Sequence, residues 1–159
     1  MRVIHRLKFV WAVTLFLALL NVNGFAKTPN CADVGGAILT NVGGFGQIDG
    51  NATTMGVVTG DLKGAVGVEI LTISPDFTTV SVQHHWVTDT GETLSIDVAQ
   101  AHGTFVAPGL FAVTDYKVHL KGGTGRFSDA TGEMSSIGEI DFNTGHAVLR
   151  YSGKVCHKN

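Results

Sequence analysis

The chain reads as an all-β protein, an eight-stranded antiparallel up-and-down β-barrel. Three observations predict this. From residue 35 onward, runs rich in β-branched and aromatic residues are punctuated by Gly, Asn, Asp or Pro every 10 to 14 residues. No stretch carries a 3.6-residue apolar stripe of helical length. Two of the intervening turns can be read in register, and both give one apolar and one polar sheet face.

The expected strands are 36–48, 53–62, 65–74, 78–88, 92–106, 110–121, 133–142 and 146–156. Short sequential connections favour a meander. Eight strands suffice to close a barrel that is filled by side chains or holds one small ligand. A two-sheet sandwich is the competing architecture.

The first readable hairpin turns at Thr88-Asp89-Thr90-Gly91. A type I turn with Gly91 as a left-handed bulge pairs Trp86 with Leu94 and His84 with Ile96. One face is then Val80, Val82, His84, Trp86, Leu94, Ile96 and Val98. The other is Ser81, Gln83, His85, Ser95, Asp97 and Ala99. A two-residue loop would slip the pairing by one and mix the faces, so the apolar pattern selects the bulged form. The second hairpin turns at Thr144-Gly145. It pairs Ile140 with Leu149 and Phe142 with Ala147, and sets Glu139 opposite Arg150 as an outer ion pair.

The N-terminus has a different character. Arg2, Arg6 and Lys8 precede a twelve-residue apolar run, Phe9 to Leu20, followed by small residues. That is the layout of a secretory signal peptide over residues 1–26, with Gly24 two positions before the expected cut after Ala26. The run is too short to span a bilayer. The remaining 27–159 form a single domain with eight Lys and Arg against thirteen Asp and Glu, a formal charge of −5. A net-negative chain with scattered cations is a poor nucleic-acid binder. Export into a secreted or periplasmic location implies an oxidising compartment, where Cys31 and Cys156, 125 positions apart, are expected to form a disulfide. Neither a Cys-x-x-Cys redox motif nor a lipid-anchor sequence before Cys31 is present. Asn51-Ala52-Thr53 is a glycan acceptor sequence only in a eukaryotic host.

Gly122-Gly123-Thr124-Gly125-Arg126-Phe127 lacks the spacing of a dinucleotide fingerprint and the Lys-Ser/Thr end of a phosphate loop. No cofactor is expected. The glycines suit a tight corner, and Phe127 and Ala130, three apart, suit one helical turn at the barrel end. The stretch Gly122–Gly132 resembles the Gly-Gly-Thr-Gly-x-Phe-x-x-Ala-x-Gly motif of dirigent proteins, which allene oxide cyclases carry in looser form. The segment around His84-His85-Trp86 is similar to that of small secreted bacterial proteins of the same barrel class. The resemblance implies an eight-stranded barrel, a homo-oligomer, and isomerase or cyclase chemistry as one functional option. The family's catalytic carboxylates have no matching positions here, so none is carried over.

The candidate lumen residues are His84, Trp86, Tyr116, Tyr151 and Glu69. His84 lies among apolar neighbours on the inner face, and a desolvated imidazole is a neutral base or donor near pH 7. Tyr116 is in step with Thr114, Val118 and Leu120, Tyr151 with Ala147, Leu149 and Val155, and Glu69 with Leu71 and Ile73. Each inner residue has a structural alternative: His84 as a satisfied core residue, Glu69 as a solvated rim charge. A metal is not expected, because His84 and His85 are adjacent on a strand and point to opposite faces, and no His-x-His or His-Glu-x-x-His spacing occurs. No Gly-x-Ser-x-Gly or catalytic-cysteine arrangement supports a hydrolase. The leading function is therefore a barrel that binds a small hydrophobic or aromatic molecule. The alternatives are an isomerase or cyclase of the same shape, and a filled barrel that acts through a protein partner.

Overall fold

A computed structural model describes residues 29–158; of residues 42–46 only the backbone course is described. The expected signal peptide, residues 1–26, lies outside the described residues. The strands are β1 Asn30–Ile48, β2 Asn51–Val58, β3 Gly64–Ile73, β4 Thr79–Thr88, β5 Thr93–Ile96, β6 Ala99–Ala107, β7 Leu110–Gly123, β8 Thr131–Asp141 and β9 His146–His157. Every pairing is antiparallel, and the sheet closes on itself through β3 and β4. β5 and β6 occupy one place in the ring, because each pairs with both β4 and β7. The result is a closed barrel of eight staves, an architecture that leaves no open sheet edge.

The first hairpin forms as its sequence dictates. Trp86 pairs with Leu94, Thr88 N–H donates to Glu92 O, and Gly91 takes φ 88°. Beyond Ile96 the expected alternation fails. Val98 is exposed and Ala99 buried, the reverse of the sequence expectation. The chain is interrupted at Asp97-Val98, and the skipped residue inverts the faces of everything after it. Polar groups fasten this break: Gln83 Nε2 donates to Ile96 O at 2.9 Å, and Asp97 N–H donates to His119 O at 3.0 Å.

The second hairpin differs from expectation by its loop. Ile140 pairs with Ala147 and Asp141 with His146, so four residues rather than two make the turn. Asp141 explains this, because its carboxylate accepts from Asn143 N and Thr144 Oγ1 and its carbonyl from Gly145 N. A longer loop moves each partner by two positions, which preserves the faces. Ile140, Ala147 and Leu149 therefore still point inward, but Arg150 stands opposite Ile137 and the Glu139–Arg150 pair does not form.

Two further elements seal one end of the barrel. The expected second strand stops early, and Gly60–Leu62 forms a 3-10 turn, with Gly60 at φ 84°. A Cβ on Gly60 would lie 2.1 Å from Gly35 O, so glycine is required there twice over. Gly125–Phe127 forms the expected turn and buries Phe127 and Ala130. At the same end Cys31 and Cys156 are cross-strand partners and form the disulfide. The outer surface carries an exposed apolar row, Val57, Leu39 and Val148, in register across β2, β1 and β9.

Because the disulfide closes a loop of 125 positions, its loss removes about 2–5 kcal/mol of stability. Urea unfolding of Cys31→Ser/Cys156→Ser should show this loss. A change below about 1 kcal/mol would mean that the β1–β9 ladder already holds the ends together, against the loop-closure argument.

Candidate functional site

The lumen has two halves of different character. In the sealed half, Trp86 on β4 and Tyr151 on β9 meet edge to face with ring centres 5.8 Å apart. Both are almost wholly buried. A buried indole or phenol needs partners for its polar tip, and the 59–62 segment supplies them. Trp86 Nε1 donates to Leu62 O at 3.0 Å. Tyr151 Oη accepts from Leu62 N at 3.1 Å and donates to Thr59 O at 2.9 Å. Gly36 makes the room, since a Cβ there would lie 2.8 Å from Tyr151 Cε1 and 2.0 Å from Thr59 O. Trp86 and Tyr151 are thus a plug with every polar atom occupied.

The other half holds a cavity of about 120 Å³. Its walls are largely aliphatic and aromatic, among them Ile38, Val68, Val82, Phe111 and Leu149. Ile73 and Phe142 also line it and are half exposed, so they mark its mouth. The lining side chains that carry polar atoms are Thr40, Thr54, His84 and Tyr116. At about 120 Å³ the cavity is somewhat smaller than the roughly 150 Å³ apolar cavity that admits a benzene-sized guest.

His84 and Tyr116 face each other across β4 and β7. Tyr116 Oη and His84 Nε2 are hydrogen-bonded, and the rings lie 26° from parallel with centres 5.7 Å apart. Burial lowers the His84 pKa from 6.5 to about 4, and the neighbouring His85 adds to that. Burial likewise raises the Tyr116 phenol. At neutral pH both are uncharged. His84 Nδ1 is buried and has no hydrogen-bond partner among the described residues.

Glu69 does not join them. A bulge at Leu71 separates the pairs Ile70–Val82 and Thr72–Ser81 and resets the strand. Ile70 and Ile73 consequently both line the lumen, and Glu69 falls on the outer face. A Cβ built on Gly67 would touch His85 and Thr53, which identifies the face that Glu69 shares with His85. There Glu69 accepts from Asn51 Nδ2 at 2.8 Å and lies 3.1 Å from His85 Nε2. Those contacts, the Asn51 bond first, hold its carboxyl below the usual range. A second bulge puts both Thr114 and Asp115 outside, so Tyr116 keeps step with Val118 and Leu120 but not with Thr114.

Of the five candidates, then, His84 and Tyr116 meet at the cavity, Trp86 and Tyr151 form the plug, and Glu69 lies outside. Sequence reasoning missed Thr40, Thr54 and Phe111, and placed Phe142 on the inner face beside Ala147 without reading it as part of a cavity mouth. The alternation Ile38-x-Thr40 was a usable signal for the first, whereas Phe142 belongs to a turn whose length only Asp141 reveals. Among the described residues no three of His, Cys, Asp and Glu gather as a metal site, and no helix is long and apolar enough to cross a membrane.

No family model matches this sequence, and no curated protein matches it. Among solved structures it is similar to the pterocarpan synthase dirigent protein GePTS1, with 14% identity over 82% of this chain and 92% of that one and a TM-score of 0.35. It is also similar to the pterocarpan synthase dirigent protein PsPTS1, with 15% identity over 84% and 98% and a TM-score of 0.33.

The buried imidazole gives a pH signature. Unfolded, His84 titrates near 6.5; folded, near 4. Between those values the unfolded chain binds more protons, so this contribution is complete above about pH 6.5 and is lost as pH falls to 4, by about 3 kcal/mol. Urea unfolding at pH 7 and pH 4 should show His84→Gln losing less stability than the parent by about that amount. Parallel pH profiles would mean that the imidazole takes up its proton freely in the folded state.

Proposed function

We propose that this protein is an exported barrel that binds one small hydrophobic or aromatic molecule in its lumen. The observation that carries this reading is the largely apolar cavity whose wall includes the neutral, hydrogen-bonded pair His84 and Tyr116. Apolar walls supply affinity, and a few placed polar groups supply orientation. The cyclase alternative needs a titratable group that changes charge beside the substrate. No Asp or Glu lines the cavity, and the one carboxylate among the candidate lumen residues, Glu69, lies on the outer face. A filled barrel is likewise less well supported, because only the half with Trp86 and Tyr151 is filled.

Export is supported by the basic, then apolar, N-terminus and by the Cys31–Cys156 disulfide, which persists in oxidising compartments. Assembly of several copies belongs to the same reading, and the exposed row Val57, Leu39 and Val148 is consistent with it.

The test is thermal or urea unfolding with toluene. Binding to the folded state alone stabilises by about 2.7 kcal/mol at a hundred times Kd. Ala101→Leu, which extends a side chain into the cavity, should abolish that gain while the variant remains folded. An equal gain in parent and variant would place the guest elsewhere and overturn the lumen assignment.

A further inference from the structure

Connections in an antiparallel meander alternate between the two ends of a barrel. The 59–63 and 124–130 connections lie at the plugged end, so the 49–50, 74–78, 108–109 and 142–145 turns lie at the end with the cavity mouth. Large apolar side chains are exposed there: Phe77, Phe105, Val106 and Phe142, with Ile73 beside them. Phe105 packs between Phe111, a wall of the cavity, and Phe142 at its mouth, with ring centres 5.3 and 6.0 Å away. The turns are fastened together. Phe142 N–H donates to Gly109 O at 2.8 Å, Asn143 Nδ2 to Pro108 O at 3.0 Å, and Gly103 N–H to Thr78 O at 3.0 Å.

Phe77 is held in the open against its own preference. Its φ is 58°, a left-handed conformation that bulky side chains rarely adopt, and it is 57% exposed, so burial offsets little of that strain. The Asp76 carboxylate fixes the turn by accepting from Ser74 Oγ at 2.6 Å and Thr78 N at 3.2 Å. Asn or Gly would suit this backbone better. A strained position that presents an exposed aromatic points to function.

The charges at this end have one sign. The four turns carry Asp49, Asp76 and Asp141 and no Lys or Arg. Hydrogen bonds within the turns, those from Ser74 and Thr144 foremost, hold the Asp76 and Asp141 carboxyls below the usual range, so both are anionic at neutral pH. A second copy of this end, or an anionic lipid, would meet like charge. A stable protein interface also uses about 20–30 residues a side, whereas shallow insertion into lipid needs only a few apolar groups. A phosphocholine surface presents quaternary ammonium groups, which aromatic faces and carboxylates both attract.

We propose that this end of the barrel docks on a zwitterionic phosphocholine membrane surface, with Phe77, Phe105, Val106 and Phe142 inserted at headgroup level and Asp76 and Asp141 among the choline groups. The inference does not depend on the lumen-binding reading. Where that reading holds, the mouth opens onto lipid, and an apolar ligand reaches the lumen without crossing water.

The test is flotation of the exported protein with vesicles of phosphatidylcholine and, separately, of phosphatidylglycerol. The parent should bind the first, and the second more weakly at low salt, with the difference closing as salt screens the charges. Phe77→Asn removes the ring and suits the left-handed turn. This variant should unfold no earlier than the parent on heating, yet partition to phosphatidylcholine about fivefold less. Adding Val106→Ser should weaken partition further. Neither residue lines the cavity, so the stabilisation by toluene should be unchanged in both variants. Failure of the parent to float with phosphatidylcholine overturns the docking assignment, as do full retention by Phe77→Asn/Val106→Ser and tighter binding to phosphatidylglycerol. A parent that floats but is not stabilised by toluene overturns the lumen-binding reading alone.

Discussion

The contact between Trp86 and Tyr151, with the hydrogen bonds that tie both to the 59–62 segment, is the constraint on which the lumen depends. An eight-stranded barrel has an interior only just wide enough for side chains to fill. Two large rings at one level fill it there. The same rings would leave their polar tips stranded in carbon were Leu62 not turned inward to offer its carbonyl and N–H. One strand that ends early, at Val58, therefore lets the plug satisfy its polar tips, and the plug confines the cavity to the opposite half. Gly36 is the counterpart on β1, since any side chain there would occupy the space of the Tyr151 ring.

Bulges decide what the remaining half contains. A strand alternates strictly, so one extra residue exchanges inside for outside along everything that follows. Leu71 does this on β3, the Asp97-Val98 break between β5 and β6, and Thr114 on β7. Together they leave the lumen without a carboxylate. Glu69 points out to Asn51 and His85, and Val98 gives its place to Ala99. The small side chains of Ala99 and Ala101 at the inner positions of β6 leave volume that larger residues would occupy. A cavity beside His84 and Tyr116 is the outcome of these substitutions of face, not of any single residue.

The chemistry of that pair is set by desolvation. Taken from water, the imidazole loses its proton and the phenol keeps its own, so the pair is neutral and its one hydrogen bond is between uncharged partners. A neutral pair of this kind is poorly suited to store charge.

Much of this was legible in the residues themselves. The eight-stave antiparallel barrel, the Gly91 turn, the Phe127-Ala130 corner, the cysteine pair and the burial of His84, Trp86, Tyr116 and Tyr151 all follow from local patterns, because alternation and turn chemistry act over a few neighbouring residues. The length of the Asn143 turn and the face of Glu69, Val98 and Thr114 do not, because a bulge is chosen by the fit of one strand to two neighbours that are distant in sequence. The division of the barrel into plug and cavity is likewise a tertiary decision. It requires Leu62, Trp86 and Tyr151, which lie on three separate parts of the chain, to reach one level of the lumen, and no pattern within any one strand records that meeting.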